Sequence, residues 1–222
     1  MQSMSRDLMP SEPGAVRIAV RQRRDAEGAI GPVETLDREE AWKLLCEWTE
    51  SESLRKHMLV VEAAMRAYAA KFGEDEEKWA VTGLLHDMDY EKHPTPDEHP
   101  MVGVRELEKL GYPEDMLHAI KGHADYLDVP RDTQMSKTLY AVDELSGLIT
   151  AVALMRPEGL NGLKAKSVRK KMKQKSFAAN VNREDITRGA EDLGVELNEH
   201  IEFVAAAMRE QADVLGLVPK GA

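Results

Sequence analysis

The stretch Leu84-Leu85-His86-Asp87 ends an apolar helical segment with two adjacent side chains that can bind a metal ion. The imidazole of His86 and the carboxylate of Asp87 can bind one ion together, or each can serve a different ion. Taken alone the pair is weak evidence, because His-Asp dipeptides also occur as surface polar residues or as helix caps. Its interpretation depends on which other histidines and acidic residues the fold brings beside it.

The composition predicts an all-α fold. The 222-residue chain is rich in Ala, Leu, Glu, Lys and Met, and only 5% of its residues are aromatic; this usage favours helices. A chain of this length can bury one sizeable core. The formal net charge of −10 favours a soluble cytoplasmic protein and argues against non-specific binding to nucleic acids or anionic membranes. No apolar run is long enough to predict a membrane span.

The cysteine count limits the kind of metal site. Cys46 is the only cysteine, which excludes an intrachain disulfide and a cysteine-rich zinc site. The remaining ligands are imidazoles and carboxylates, which suit one or two divalent ions of Mn, Fe, Co, Ni, Zn or Mg. In hydrolysis such ions lower the pKa of a bound water and neutralise charge on the group that is attacked.

Apolar periodicity, proline positions and helix-end residues predict nine helices. They cover residues 35–49, 54–72, 74–87, 99–111, 113–123, 133–155, 163–179, 183–193 and 197–215. We divide the chain into a flexible N-terminal extension (1–34, with a candidate short strand at 16–20), a metal-binding helical core (35–156), C-terminal helices packed on that core (157–218) and a tail (219–222).

Asp143 carries the strongest local signal for a metal ligand. It lies on an apolar face of its predicted helix, which it shares with Leu139 and Ile149. A carboxylate on such a face is costly to bury unless a cation or a hydrogen-bond donor meets it. We predict a metal ion as that partner; the alternative is a cap or a salt bridge to an Arg or Lys. Glu144 is expected to be the solvated neighbour of Asp143.

Histidines elsewhere in the chain supply the remaining ligands of a metal centre. His57 lies on the core side of its predicted helix, where a histidine by itself would be an ordinary core residue. The His-Asp pair and the buried carboxylate elsewhere in the chain make it a candidate ligand. His99 and His123 are a loop residue and a helix-end residue when taken separately. Together they provide the two further imidazoles that a second ion needs.

The other three histidines are not candidate ligands. His93 lies in a charged loop, and His118 lies five residues before His123, off its helical face. His200 has no partner in the sequence and is predicted to lie at the surface.

The order of His57, His86-Asp87 and Asp143 resembles the HD superfamily of metal-dependent phosphohydrolases, which is named after the His-Asp doublet. Over about residues 36–217 the chain is similar to a group of small bacterial HDIG-domain proteins. The stretches that carry this similarity are Lys56-His57-Met58, residues 84–91, residues 141–149 and Lys175-Ser176-Phe177-Ala178-Ala179. The stretch His99-Pro100-Met101-Val102-Gly103, followed by His123, resembles the extra ligands of the two-metal members of the superfamily, which include the HD-GYP phosphodiesterases and the diiron oxygenases.

The resemblance implies an HD-domain helical bundle with the C-terminal helices packed on it. It also implies six metal ligands, four of them on one ion, with Asp87 bridging to a second ion. These ligands are His57, His86, Asp87 and Asp143 for the first ion, and His99 and His123 for the second. His86 and Asp87 would be the catalytic residues of a phosphomonoesterase or phosphodiesterase that cleaves a small phosphate ester or nucleotide with a metal-activated water.

The chain departs from the family pattern next to the doublet. Many members have Ile-Gly-Lys there, whereas this chain has Met88-Asp89-Tyr90. The missing lysine removes a residue that could meet a phosphate, which argues against cleavage of a cyclic dinucleotide. Asp89, Tyr90 and Glu91 could orient water or hydrogen-bond to the ligands, or they could simply begin a loop. Gly111-Tyr112-Pro113 precedes a helix and is predicted to be a turn.

A phosphorylated small-molecule substrate needs cations near the metal site. Basic residues crowd residues 164–175 of this acidic chain. They form either a solvated helix face or a substrate-binding surface. For the second reading, Lys166 and Arg169 are the predicted substrate-binding residues, with Lys121 and Lys137 as rivals.

Two other functions stay open at the level of the sequence. A diiron oxygenase would use the same six ligands with redox-active iron. A non-catalytic metal- or nucleotide-binding module would keep the metal for stability and would bind a ligand without turnover.

Overall fold

The computed structural model describes residues 37–219, and within that range it contains ten α-helices, one 3-10 turn and no strand. The prediction of an all-α fold is confirmed. The helices are α1 (Arg38–Trp48), α2 (Glu52–Phe72), α3 (Glu76–Leu85), α4 (Met101–Lys109), α5 (Glu114–His123), α6 (Gln134–Leu154), α7 (Ala165–Met172), α8 (Arg183–Leu193), α9 (Leu197–Arg209) and α10 (Ala212–Leu215). The predicted N-terminal extension and its candidate strand lie outside the described residues.

Capping side chains set the starts of the helices. The carboxylate of Asp37 accepts hydrogen bonds from the backbone N–H groups of Glu39 and Glu40, so that α1 begins at Arg38. At the start of α6, Thr133 and Ser136 form a capping box. Both arrangements satisfy backbone N–H groups that the first helical turn leaves free.

The two 21-residue helices α2 and α6 lie at the centre of the bundle. Helix α2 packs against α3, α6 and α9, and α6 packs in addition against α5, α7 and α8. Side chains such as Met65 of α2 and Leu139 of α6 are fully buried between these elements. The pairing brings His57 of α2 and Asp143 of α6 to the same region of the bundle.

Helix α3 approaches α2 closely at Gly83. A Cβ atom on this residue would lie 3.0 Å from the carbonyl oxygen of Val61 and 3.0 Å from Cγ of Met65. A larger residue would therefore push the two helices apart. The close approach places the end of α3, with His86 and Asp87 directly after it, beside α2.

The predicted helix over residues 163–179 is too long, because α7 ends at Met172. The carbonyl groups of residues 177, 178 and 181 accept hydrogen bonds from the guanidinium of Arg183. These bonds satisfy the carbonyl groups in a turn conformation, and no helical ladder is needed there. The predicted helix over 197–215 is likewise divided into α9 and α10.

His200 is completely buried, so the prediction that it lies at the surface is wrong. Its Nε2 lies 2.9 Å from the carbonyl oxygen of Ala141 and its Nδ1 lies 2.6 Å from the hydroxyl of Tyr68. Because a carbonyl only accepts, Nε2 donates to Ala141 and Nδ1 accepts from Tyr68. Burial lowers the pKa of His200 to about 4 and keeps it neutral. The ring ties α9 to α2 and α6.

The described helices include none that combines the length and the apolar character needed to cross a membrane.

Helix α8 packs against α6 at a glycine, which makes a sharp test of this interface. A Cβ atom on Gly189 would lie 2.7 Å from Cα of Ala141. We expect Gly189→Ala to lower the free energy of unfolding by about 1–3 kcal/mol through overpacking. Urea denaturation of the variant and the wild type measures this change.

The matched control is Gly147→Ala, in α6. Its Cβ atom would lie 3.9 Å from Cγ2 of Val181, which is ordinary contact. Alanine is the better helix former by about 0.8–1 kcal/mol, so we expect this variant to be at least as stable as the wild type. Equal stability of both alanine variants would contradict the described α6–α8 packing.

Candidate metal centre

Two groups of metal-binding side chains come together and share Asp87. In each group, one nitrogen or oxygen atom of every residue lies within 4.8 Å of the corresponding atoms of the others. The first group is His57, His86, Asp87 and Asp143, and the second is Asp87, His99 and His123. All six predicted ligands are therefore brought together, and we call them the ligand cluster. That they bind a metal ion stays a prediction.

Five segments supply the ligand cluster. His57 lies in the second turn of α2, and Asp143 lies in the middle of α6. His86 and Asp87 follow the last residue of α3. The other two ligands, His99 before α4 and His123 at the end of α5, also lie against Asp87.

The two carboxylates lie at the centre of the cluster. Oδ1 of Asp87 lies 3.1 Å from Nε2 of His123, 3.4 Å from Nε2 of His99 and 3.5 Å from Nε2 of His86. Oδ1 of Asp143 lies 3.0 Å from Nε2 of His57 and 3.4 Å from Nε2 of His86. Every imidazole thus presents the same nitrogen atom, Nε2, to the centre.

Hydrogen bonds on the far side of the rings fix this orientation. Nδ1 of His86 donates to the carbonyl oxygen of Gly83 at 2.8 Å, and Nδ1 of His123 donates to that of Ile120 at 2.5 Å. Because Nδ1 carries the proton in both neutral rings, the lone pair of Nε2 points into the cluster. This is the tautomer that binds a metal ion through Nε2.

Asp89 holds His99 in the same way. Its buried carboxylate accepts hydrogen bonds from Nδ1 of His99 at 2.8 Å and from the backbone N–H of Gly103 at 2.7 Å. Asp89 therefore orients a candidate ligand. Glu91, by contrast, accepts from the backbone N–H groups of Glu50 and Ser51 and serves the α1–α2 connection.

The donor atoms fit a divalent ion. Nε2 of His86 and Oδ1 of Asp87 are buried without a hydrogen-bond partner. A neutral imidazole lone pair that faces a carboxylate oxygen is repulsive, and buried polar atoms without partners are costly. A proton or a metal ion between them removes both penalties, and nitrogen and oxygen donors suit the divalent ions named above.

The pKa values of His86 and Asp143 reflect the opposite charges that surround each group. Burial disfavours the charged form of His86, but the nearby carboxylates of Asp87 and Asp143 outweigh it and raise the pKa to about 9. Burial likewise opposes ionisation of Asp143, but His86 and His57 hold its pKa well below the usual range. The pocket between these groups is therefore strongly attractive to positive charge.

The remaining histidines lie away from the cluster, as predicted for two of them. Nδ1 of His93 lies 3.0 Å from Oε1 of Glu98, and Nε2 of His118 lies 2.9 Å from Oδ1 of Asp132. Both are hydrogen-bonded pairs outside the ligand cluster.

The predicted substrate-binding residues are not brought to the cluster. Helix α7 packs on α9, and Nη1 of Arg169 donates to Oδ1 of Asn198 at 3.1 Å. Lys166 and Arg169 line a groove of their own beside that contact. The alternative residues do not line the cavity of the cluster either. Lys121 pairs with Glu114, and Lys137 lines another groove.

A cavity of about 850 Å³ opens above the ligand cluster. Its lining beyond the ligands includes Tyr90, Pro94, Pro96, Asp125, Tyr126, Tyr140, Glu144, Asn182 and Asp185. Glu144 is half-buried rather than solvated, and burial together with the charge of Asp143 raises its pKa to about 7. Tyr126 and Asp185 were not predicted, since nothing in their local sequence links them to the cluster.

Comparisons with known proteins agree with this geometry. Residues 54–150 match the family model of the HD domain, and all six residues of the ligand cluster lie within this range. Ribonuclease Y of Oleidesulfovibrio alaskensis is 32% identical over 98 residues, which are 44% of this chain and 18% of that protein. Ribonuclease Y of Nitratidesulfovibrio vulgaris is 33% identical over the same shares. The chain thus spans less than a fifth of the length of these relatives. No solved structure matches the chain.

The raised pKa of His86 predicts how metal binding depends on pH. The metal-free imidazole is protonated at pH 7, since its pKa is about 9, and a metal ion must displace that proton. We expect affinity for a divalent ion to rise between pH 7 and pH 9 and then to level off. Calorimetry in buffers of different protonation enthalpy measures the released proton. An affinity that does not change over this range would contradict the assignment.

The raised pKa of His86 also predicts how the stability of the metal-free protein depends on pH. A histidine whose pKa is higher in the folded than in the unfolded state stabilises the fold when it is protonated. This contribution is complete when the pH is below the pKa of the unfolded state, which is about 6.5. That contribution is lost as the pH rises through about 9. Thermal unfolding of chelator-treated protein between pH 6 and 10 measures the loss, and added metal is expected to abolish it. A melting temperature that does not fall between pH 6 and 10 would contradict the shift.

Asp89→Asn tests the support of His99. The side-chain oxygen of an asparagine can accept from only one of the two donors. Its NH2 group would then face the other donor, which is either Nδ1 of His99 or the N–H of Gly103. We expect metal affinity to fall about 10–100-fold, the usual effect of losing such a partner. The control is Asp97→Asn, an exposed residue of the same loop. Equal affinities of the two variants in calorimetric titrations would rule out this role for Asp89.

Proposed function

We propose that the chain, a member of the HD superfamily, is a metal-dependent phosphohydrolase that cleaves a phosphate ester at the ligand cluster. The observation that carries the proposal is the pair of buried atoms without partners, Nε2 of His86 and Oδ1 of Asp87. They face each other at 3.5 Å and need a positive charge between them.

In this proposal the residues of the cluster bind metal ions, and groups around them hold the rings in place. His57, His86 and Asp143 would hold one ion, and His99 and His123 would hold a second, with Asp87 common to both. When bound, divalent ions supply a water of lowered pKa and neutralise charge on the phosphate. Nδ1–H groups bonded to Gly83, Ile120 and Asp89 keep the rings from turning. The cavity above the cluster admits the substrate.

A phosphodiester is the substrate that the relatives support best. The two relatives are named ribonucleases, and a ribonuclease cleaves phosphodiester bonds of RNA. The match to the HD domain, over residues 54–150, covers the whole ligand cluster. A phosphomonoester is the alternative within the same chemistry.

A diiron oxygenase is a second candidate, favoured by one feature. Four imidazoles and a carboxylate common to both groups of ligands also suit two iron ions. This function predicts iron in the purified protein, a charge-transfer absorption band and consumption of oxygen.

Metal analysis and an activity panel distinguish these functions. Protein purified without a chelator is analysed for bound metal. It is then assayed on monoesters and diesters with Mn, Ni, Co or Mg. The proposal predicts bound metal and metal-dependent release of phosphate or of a cleaved diester. Bound iron with oxygen consumption and no ester cleavage would support the oxygenase instead. Absence of bound metal, together with no ester cleavage and no oxygen consumption with any added ion, would overturn both.

Asp87→Asn tests the residue that both ligand groups share. The substitution keeps the size of the side chain but removes its charge, so metal binding should weaken on both sides. We expect kcat/KM to fall by at least about 100-fold, because even indirect partners of a metal are worth about 10–100-fold. The control is His118→Ala, which removes only a surface histidine bonded to Asp132. Full activity of Asp87→Asn would contradict the proposal.

A further inference from the structure

We propose that the cavity selects a phosphodiester that carries an aromatic base, that the base stacks on Tyr126 and Tyr90, and that polyphosphates are rejected. This inference rests on the proposed hydrolase function and adds the substrate class. It follows from two properties of the cavity: an exposed aromatic wall and a lining without cationic side chains.

The aromatic wall is unusual within residues 37–219. Five large hydrophobic side chains in that range are exposed, and three of them, Leu154, Met155 and Val214, are aliphatic. The other two are Tyr90 and Tyr126, which expose 42% and 52% of their surface. Both line the cavity above the ligand cluster. Exposed aromatic area gathered at one site is typical of a binding surface.

Both tyrosines are fixed relative to a candidate metal ligand. The hydroxyl of Tyr126 donates to the carbonyl oxygen of His99 at 2.7 Å. The ring of Tyr90 stands nearly perpendicular to the imidazole of His99, at 84° and with centroids 5.1 Å apart. The rings are thus held beside the ligand cluster with part of their surface open. Pro94 and Pro96 extend this wall with further apolar surface.

The charge of the lining favours a substrate with little negative charge. Asp125, Glu144 and Asp185 line the cavity in addition to the two carboxylates of the ligand cluster, and no Lys or Arg of the described chain lines it. The neighbouring Arg188 is already bonded to Asp125, Asp185 and the hydroxyl of Tyr140.

This charge distribution separates substrates by their number of phosphate groups. One phosphate can lie at the ligand cluster, but any further phosphate would find none of the Arg and Lys side chains that usually bind it in the lining of the cavity. A phosphodiester carries one negative charge per phosphate, whereas a nucleoside triphosphate brings several to one place. Recognition beyond the scissile group then depends on stacking, which any base can provide.

Calorimetric binding of three compounds tests the proposal without turnover. Manganese-loaded protein is titrated with a diadenosine monophosphate whose ester linkage is replaced by a non-hydrolysable phosphonate, with the same compound in which both bases are replaced by abasic units, and with adenosine triphosphate. We expect the intact dinucleotide to bind about 5- to 100-fold more tightly than the abasic one, the usual effect of one stacked base. Adenosine triphosphate is expected to bind more weakly than the intact dinucleotide.

Variants of the wall show whether the tyrosines cause the preference. Tyr126→Leu and Tyr90→Leu remove the rings and keep apolar volume, so each should reduce the ratio of the affinities for the intact and the abasic dinucleotide. Tyr126→Phe keeps the ring and should retain most of the preference. Met155→Leu, at an exposed residue outside the cavity, is the control.

The outcomes separate this inference from the proposed function. Equal affinity for the two dinucleotides, a preference that survives in both leucine variants, or tighter binding of adenosine triphosphate would each overturn the inference. Base-dependent binding without cleavage of any ester would support the inference and overturn the hydrolase. Ester cleavage without base-dependent binding would support the hydrolase and overturn the inference.

Discussion

The contact of one carboxylate oxygen with three imidazole nitrogens is the constraint on which this site depends. Oδ1 of Asp87 lies within 3.5 Å of Nε2 of His86, His99 and His123. Because the Nδ1 atoms of these rings donate to groups outside the cluster, lone pairs converge on a negative charge. Positive charge has to be supplied, either by protons or by metal ions. The helical bundle provides the rigid frame that forces these groups together.

Local signals predicted much of this site. Asp143 was found because a carboxylate on an apolar helical face needs a partner, and the His-Asp pair because two potential ligands end an apolar helix. The buried His200 could have been found in the same way, since it shares a helical face with Val204 and Ala207. The apolar periodicity around His200 predicts its burial, whereas the lack of a partner in the sequence led to the wrong prediction of a surface position.

Tertiary contacts decided what the sequence could not predict. The basic segment was expected at the substrate because of its charge, but the part of the C-terminal region that borders the cavity includes Asp185 of α8 and its capping residue Asn182. Residues 177 and 178 were predicted to be helical, but their carbonyl groups accept hydrogen bonds from Arg183. Tyr126 joins the site through a 3-10 turn whose position only the fold defines.

The position of bound metal tests the central claim most directly. Crystals grown with a single kind of divalent transition-metal ion would be measured on both sides of its X-ray absorption edge. The account predicts anomalous density between Asp87 and the surrounding imidazoles, about 2.0–2.2 Å from Nε2 atoms, as is usual for such ions. Absence of anomalous density at Asp87, with the imidazole nitrogens still in direct contact with the carboxylates, would contradict it.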